Sequence, residues 1–217
     1  LIANGTPVAL RATGTALSRK HSRMNLQMTL ALVILLAVAL VVGVYFVMVY
    51  NALVQLKHNV SKAWANIEVL LKQRHDELPK LVETCRQYMK FEQDTLQRVI
   101  EARSRVNAAA QSRDIAALGP AEGALRTGLG NLFALAEAYP DLKANTSFQQ
   151  LQGRISTLED SIADRREFYN ESVNVNNVRI AQVPDVVVAR LCGFGPFNLL
   201  DFTADELRDV DVKQLFS

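Results

Sequence analysis

At 217 residues the chain has room for one membrane span and one domain of ordinary size, and not for two large domains. Its formal net charge is +2, and beyond residue 50 acids and bases are interleaved and nearly balanced, so the basic field that nucleic-acid binding requires is missing. Cys85 and Cys192 lie far apart without CxxC spacing, and His21, His58 and His75 fall in no HExxH or ExxH pattern, so neither a zinc site nor a disulfide framework can be read from them.

Residues 1–27 open on Leu rather than Met and mix Gly, Thr, Pro and Ser without helical or strand period. They read as a disordered leader, or as sequence upstream of a start at Met24 or Met28. From Met24 to Leu56 no side chain is charged, and Leu30–Val49 is almost wholly apolar. A run of about twenty such residues matches a hydrocarbon core of about 30 Å, and residues 28–50 are assigned as a single-pass transmembrane helix. The run exceeds the roughly 7–15 apolar residues of a cleaved signal, and no small-x-small site follows it. It is expected to remain as an anchor. Orientation depends on the start. With Arg11, Arg19, Lys20 and Arg23 ahead of the span, the positive-inside rule puts the body outside; from a later start, Lys57 and Lys62 hold it inside. The side of the membrane is undetermined.

Behind the span, Leu53, Leu56, Val60, Trp64, Ile67, Leu71, Leu78, Leu81, Cys85 and Met89 recur at three- and four-residue steps. That period predicts an amphipathic helix continuous with the anchor. Pro79 lacks a backbone donor, so separate or kinked helices are expected over 51–77 and 80–110. Both cysteines are expected as free thiols packed like small hydrophobes. Ser112-Arg113-Asp114 and Gly119-Pro120 interrupt the pattern, and Pro120 suits the first turn of a helix over about 120–138. Pro140 ends it, Asp141–Thr146 reads as a loop, and Ser147 is the expected N-cap of a last helix running to Pro184. Four amphipathic helices with short links bury their stripes most simply as an up-and-down bundle over 51–184. The tail, 185–217, is apolar and glycine-bearing; it is expected to fold over the bundle, with contact to the membrane or a neighbouring chain as alternatives.

The densest polar constellation is Arg165, Arg166, Tyr169, Asn170, Asn174 and Asn177 on the last helix. Asn170, Asn174 and Asn177 share one stripe by their 4,3 spacing. A cleft for a ligand or peptide is one reading. The other, preferred, is a buried hydrogen-bonded network fixing helix register, with Glu68, Asp76 or Glu83 as possible partners. The glutamate and Glu-x-x-His spacing of a di-metal bundle is absent, as are a phosphate loop and a GxSxG elbow. No catalytic, cofactor-binding or metal residues are assigned.

Three ordered blocks, Tyr50-Asn51-Ala52-Leu53-Val54, Ala63-Trp64-Ala65-Asn66-Ile67-Glu68 and Pro79-Lys80-Leu81-Val82-Glu83-Thr84, resemble the bacterial LemA family. The resemblance continues through Ala136–Asn145, Phe148–Gln152 and Arg165–Asn170, and covers roughly 28–197. Asn176, Val183 and Phe91 depart from the family pattern. The resemblance implies an N-terminal anchor, an antiparallel four-helix bundle, no established catalytic activity and a link to membrane organisation.

The sequence therefore predicts an all-α protein: an N-terminal transmembrane helix followed by an antiparallel up-and-down four-helix bundle with long helices, in the bacterial cytoplasmic membrane. The expected role is a non-enzymatic scaffold without cofactors. Its expected partners are the lipid bilayer and copies of itself or other membrane proteins, and not nucleic acid. A membrane-tethered sensor with a ligand in the polar stripe is the alternative.

Overall fold

The computed structural model describes the backbone of residues 8–200 and the side chains of residues 25–200. Its helices are α1 (Val8–Tyr88), α2 (Gln93–Ser112), α3 (Ile115–Ala136), α4 (Pro140–Lys143), α5 (Thr146–Ala181) and α6 (Asp185–Leu191), and the described residues contain no strand. By packing, the chain divides into two units, 1–51 and 52–217.

In the first unit every described side chain from Asn25 to Val47 is exposed. A helix that is apolar all round and covered by no protein needs an apolar solvent. By length and composition this segment is a candidate membrane span near the N-terminus. The helix begins at Val8, where an irregular leader was expected to reach residue 27. Extending a helix costs far less than nucleating one, and Ala9, Leu10, Arg11, Ala12, Ala16, Leu17, Arg19 and Lys20 are good helix formers.

In the second unit the part of α1 beyond Asn51 packs with α2, α3 and α5 in up-down-up-down order. Trp64 meets Tyr169, and Arg74 meets Glu159, so α5 runs antiparallel to α1. Likewise His75 meets Arg103 on α2, while Gly128 on α3 lies against Val99 on α2. The stripes converge on one core that includes Ile67, Leu78, Leu81, Cys85, Leu118, Leu125, Leu132 and Ile155. Each such aliphatic side chain contributes ~1.5–3 kcal/mol on burial.

Several boundaries differ from those the sequence predicts. The break expected at Pro79 does not occur; α1 runs on to Tyr88, and the chain turns at Met89–Glu92 instead. Pro79 has no N–H to give the carbonyl of His75. That carbonyl accepts from Arg103 Nε at 3.0 Å, so a side chain on α2 supplies the bond the proline cannot. Helix α3 starts at Ile115, before Pro120, because Asp114 caps it by accepting from Ala117 N at 3.0 Å. Pro140 does not only stop a helix; it opens the single turn α4 from its first position. The cap of α5 is Asn145, accepting from Phe148 N at 3.0 Å, and not Ser147. Its side chain also donates to Tyr88 Oη, which gives it a tertiary bond that Ser147, two residues on, does not make. Helix α5 ends at Ala181, ahead of Pro184.

The hairpin of α2 and α3 reaches back along α1 about as far as Glu68, which shares a cavity with Ala110 and Gln111 at the end of α2. Between Ala52 and that point the seam of α1 and α5 is covered by the tail. After α6 the chain reverses at Gly193, whose φ of 71° favours glycine. It then runs extended along α5, and Leu200 is buried in the core with Phe197 packed beside it. Residues 201–217 of the predicted tail lie outside the described residues.

Candidate functional site

The polar stripe on α5 holds the tail by its main chain. Asn177 Nδ2 donates to the carbonyl of Phe197 at 2.9 Å, and its Oδ1 accepts from Phe197 N at 2.9 Å. Asn170 repeats the arrangement on Leu200, donating at 3.1 Å and accepting at 2.8 Å. The registers match: seven helical residues advance about 10.5 Å, and three extended residues advance about 10 Å. Each carboxamide thus imitates a neighbouring strand, satisfying the backbone donor and acceptor of one residue. Between the two, Tyr169 Oη donates to the carbonyl of Asn198 at 3.0 Å. The Tyr169 ring is buried and lies edge-on to Trp64, with centroids 5.9 Å apart. Burial raises its phenol pKa above the ordinary value.

Of the six residues predicted for this network, the structure brings Tyr169, Asn170 and Asn177 together around the tail. Arg166 is buried one turn away. Arg165 and Asn174 are exposed on other faces of the helix. The asparagine partners are main-chain groups of Phe197 and Leu200, rather than the carboxylates of Glu68, Asp76 or Glu83. An extended tail has unpaired N–H and C=O groups that only a two-sided partner such as a carboxamide can satisfy at once. Asn176 is buried beside them and donates to Asn177 Oδ1 at 3.2 Å.

A second constellation was not singled out from the sequence. Arg74 on α1 is almost wholly buried and pairs with Glu122 on α3 and Glu159 on α5. Arg126 lies 3.7 Å from Glu159, and Arg154 reaches Glu77 at 2.8 Å. Burial disfavours the Arg74 charge, but attraction and hydrogen bonds from Glu122 and Glu159 outweigh it and raise its pKa. The pattern was legible, because Arg74, Glu122 and Glu159 each occupy a core position: three after Leu71, four after Leu118 and four after Ile155. Opposite charges on the buried stripes of three helices must meet, or leave a charge uncompensated.

Beside this cluster α1 and α2 enclose a cavity of about 330 Å³, lined among others by Glu68, Lys72, Arg74, His75 and Arg103. Arg103 has no acceptor, so its Nη2 donates to His75 Nε2 at 2.7 Å while its Nε holds the His75 carbonyl. Burial chiefly, and the Arg103 charge, lower the His75 pKa against the pull of Asp76. Among the described residues no three of His, Cys, Asp and Glu are grouped to hold a metal ion. Cys85 is buried, which pushes its thiol up to about 12, whereas Cys192 is exposed and not packed as the sequence predicts. Cys192 follows the short α6 at the turn into the tail, where the core does not reach it.

A sequence model described as the LemA family matches residues 63–214. The chain belongs to the LemA family. Among LemA relatives, a protein named LemA from Metamycoplasma hominis is 29% identical over 181 residues, covering 80% of this chain and 78% of the relative. Magnetosome protein MamQ of Magnetospirillum gryphiswaldense is 25% identical over 199 residues, covering 81% and 72%. Magnetosome protein MamQ 2 of Paramagnetospirillum magneticum is 33% identical over 78 residues, which is 36% of this chain and 29% of that one. The LemA match begins at Ala63, so it takes in both polar constellations and leaves out the span.

Proposed function

We propose that this LemA-family protein is a non-enzymatic scaffold held at the bacterial cytoplasmic membrane, organising that membrane or the envelope through helix contacts with copies of itself or other membrane proteins. The observation that carries this reading is where the buried polar groups go. Arg74, Glu122 and Glu159 are committed to one another, and Asn170 and Asn177 to the tail. Groups saturated in this way fix register and shape, and a rigid body behind a lipid-embedded helix suits docking. Relatives that carry the magnetosome name lend support to a role in membrane organisation. Photo-crosslinkers placed on exposed positions of α2 and α5 in intact membranes should capture oligomers or one reproducible partner. A chain that stays solitary from every position contradicts the proposal.

A sensor is the second reading, and the cavity beside α1 and α2 favours it, since its volume and its apolar wall with a few polar groups such as His75 and Arg103 suit a small molecule. In that case a metabolite should raise the melting temperature of the full chain, and Arg103→Gln should abolish the rise.

A further inference from the structure

Beyond Asn51, six large hydrophobic side chains among the described residues are more than half exposed: Val69, Phe91, Phe168, Val183, Val187 and Leu191. Val187 and Leu191 stand one turn apart on one face of α6, and Val183 lies in the turn that leads into the helix, so the three make an exposed apolar ridge at this corner. In chain order they are 84%, 57% and 73% exposed. The ridge is held outward, because the opposite face of α6 buries Val188 and Ala189, and buried Asp185 pairs with Arg179. A patch so placed calls for an occupant.

Its position selects one. Helix α5 runs antiparallel to α1, and Asn176, near the end of α5, lines a small cavity with Lys57 and Gly193–Phe197. The ridge therefore belongs to the end of the bundle at which α1 enters, beside Ala52. The peptide bond from Asn51 joins that end to a stretch without charge back to Met24. The chain itself thus keeps this end within reach of the lipid surface. Exposed Lys57, Lys62 and Arg190 share it, whereas Asp185 is buried and neutralised by its pairing. Aliphatic side chains flanked by bases are what binds the boundary between anionic headgroups and acyl chains. Long basic side chains there lay their stems on lipid and their charges on phosphate.

We propose that Val183, Val187 and Leu191 form a second, interfacial membrane contact, seated in an anionic bilayer surface with Arg190 and Lys57 on its headgroups. This rests on the reading of the protein as membrane-tethered. It gives the chain a second attachment to lipid besides the span.

Cys192 adjoins Leu191 and is exposed, while burial keeps the Cys85 thiol protonated at neutral pH, so a maleimide spin label attaches to Cys192 alone. The full chain, labelled there, is placed in vesicles of phosphatidylcholine and phosphatidylglycerol. Collision with oxygen is then compared with collision with a water-soluble nickel chelate. A reference label at the far end of the bundle comes from Phe91→Cys combined with Cys192→Ser. The label at Cys192 should meet the chelate several-fold less often than the reference label. Replacing Val183, Val187 and Leu191 together by Ser should remove the difference without releasing the chain from the vesicles. Equal chelate access at Cys192 and at the reference overturns the ridge while leaving the tether standing. Failure of the full chain to float with the vesicles overturns the tether, and the ridge with it.

Discussion

Arg74 sits where a leucine would otherwise be, and what its burial costs is recovered only while both carboxylates stay in place. Arg74→Met leaves Glu122 and Glu159 facing each other without the cation between them, and should destabilise the chain by about 3–5 kcal/mol. Urea denaturation in micelles checks this. Replacing Glu122 and Glu159 by Leu and Gln in the same background should restore most of the loss. His75 gives a pH dependence of definite sign. Its pKa lies below the unfolded value of 6.5, so in the window below 6.5 the unfolded chain binds more protons than the folded one. Stability is therefore full above that value and falls as pH drops through the window. Melting temperatures measured between about pH 7 and 5 should decline in the native chain, with a shallower slope in His75→Asn. At this scale the sequence was only partly legible. Tyr169, Asn170 and Asn177 stood out as a polar stripe, but their partner is a backbone, and a backbone leaves no trace in side-chain pattern. Arg74 did leave one, a charge in phase with leucines.

Among the elements, α1 shows why a proline need not end a helix. The breaker was legible at Pro79, but its remedy lay 24 positions further along the chain at Arg103, where local pattern gives no hint. The two residues should be coupled. Arg103→Met alone exposes the lack of a donor at His75, whereas in a Pro79→Ala background the helix supplies its own bond. A double-mutant cycle should give a coupling energy of about 1 kcal/mol or more, and additive effects would show that the Arg103 bond does not serve the proline. The tail is the other instructive element. Its apolar residues predicted packing, and the route of that packing depends on the match between helical and extended rise. Asn170→Ala and Asn177→Ala should each cost about 1–2 kcal/mol. Hydrogen exchange at Phe197 and Leu200 should quicken in both variants, with the α2 and α3 amides unchanged. Protection at Leu200 that survives loss of Asn170 would contradict the clasp.

For the molecule as a whole, the features that set its class were the most legible. A run of residues without charge, long enough to span lipid, needs no tertiary context to be read, and neither do four amphipathic stripes with short links. Helix limits were harder, because caps compete within one turn: Asn145 prevails over Ser147 by bonding Tyr88 as well as the helix end. On this account an apolar N-terminal helix is followed by a bundle whose seam of α1 and α5 is covered by its own tail. That arrangement is the central claim, and it requires the apolar segment to remain part of the working protein. Alkaline extraction of native membranes, followed by intact-mass analysis of the chain, tests it directly. The protein should stay with the lipid pellet at a mass that includes residues 28–50, and recovery in the supernatant at a mass lacking them would contradict the account.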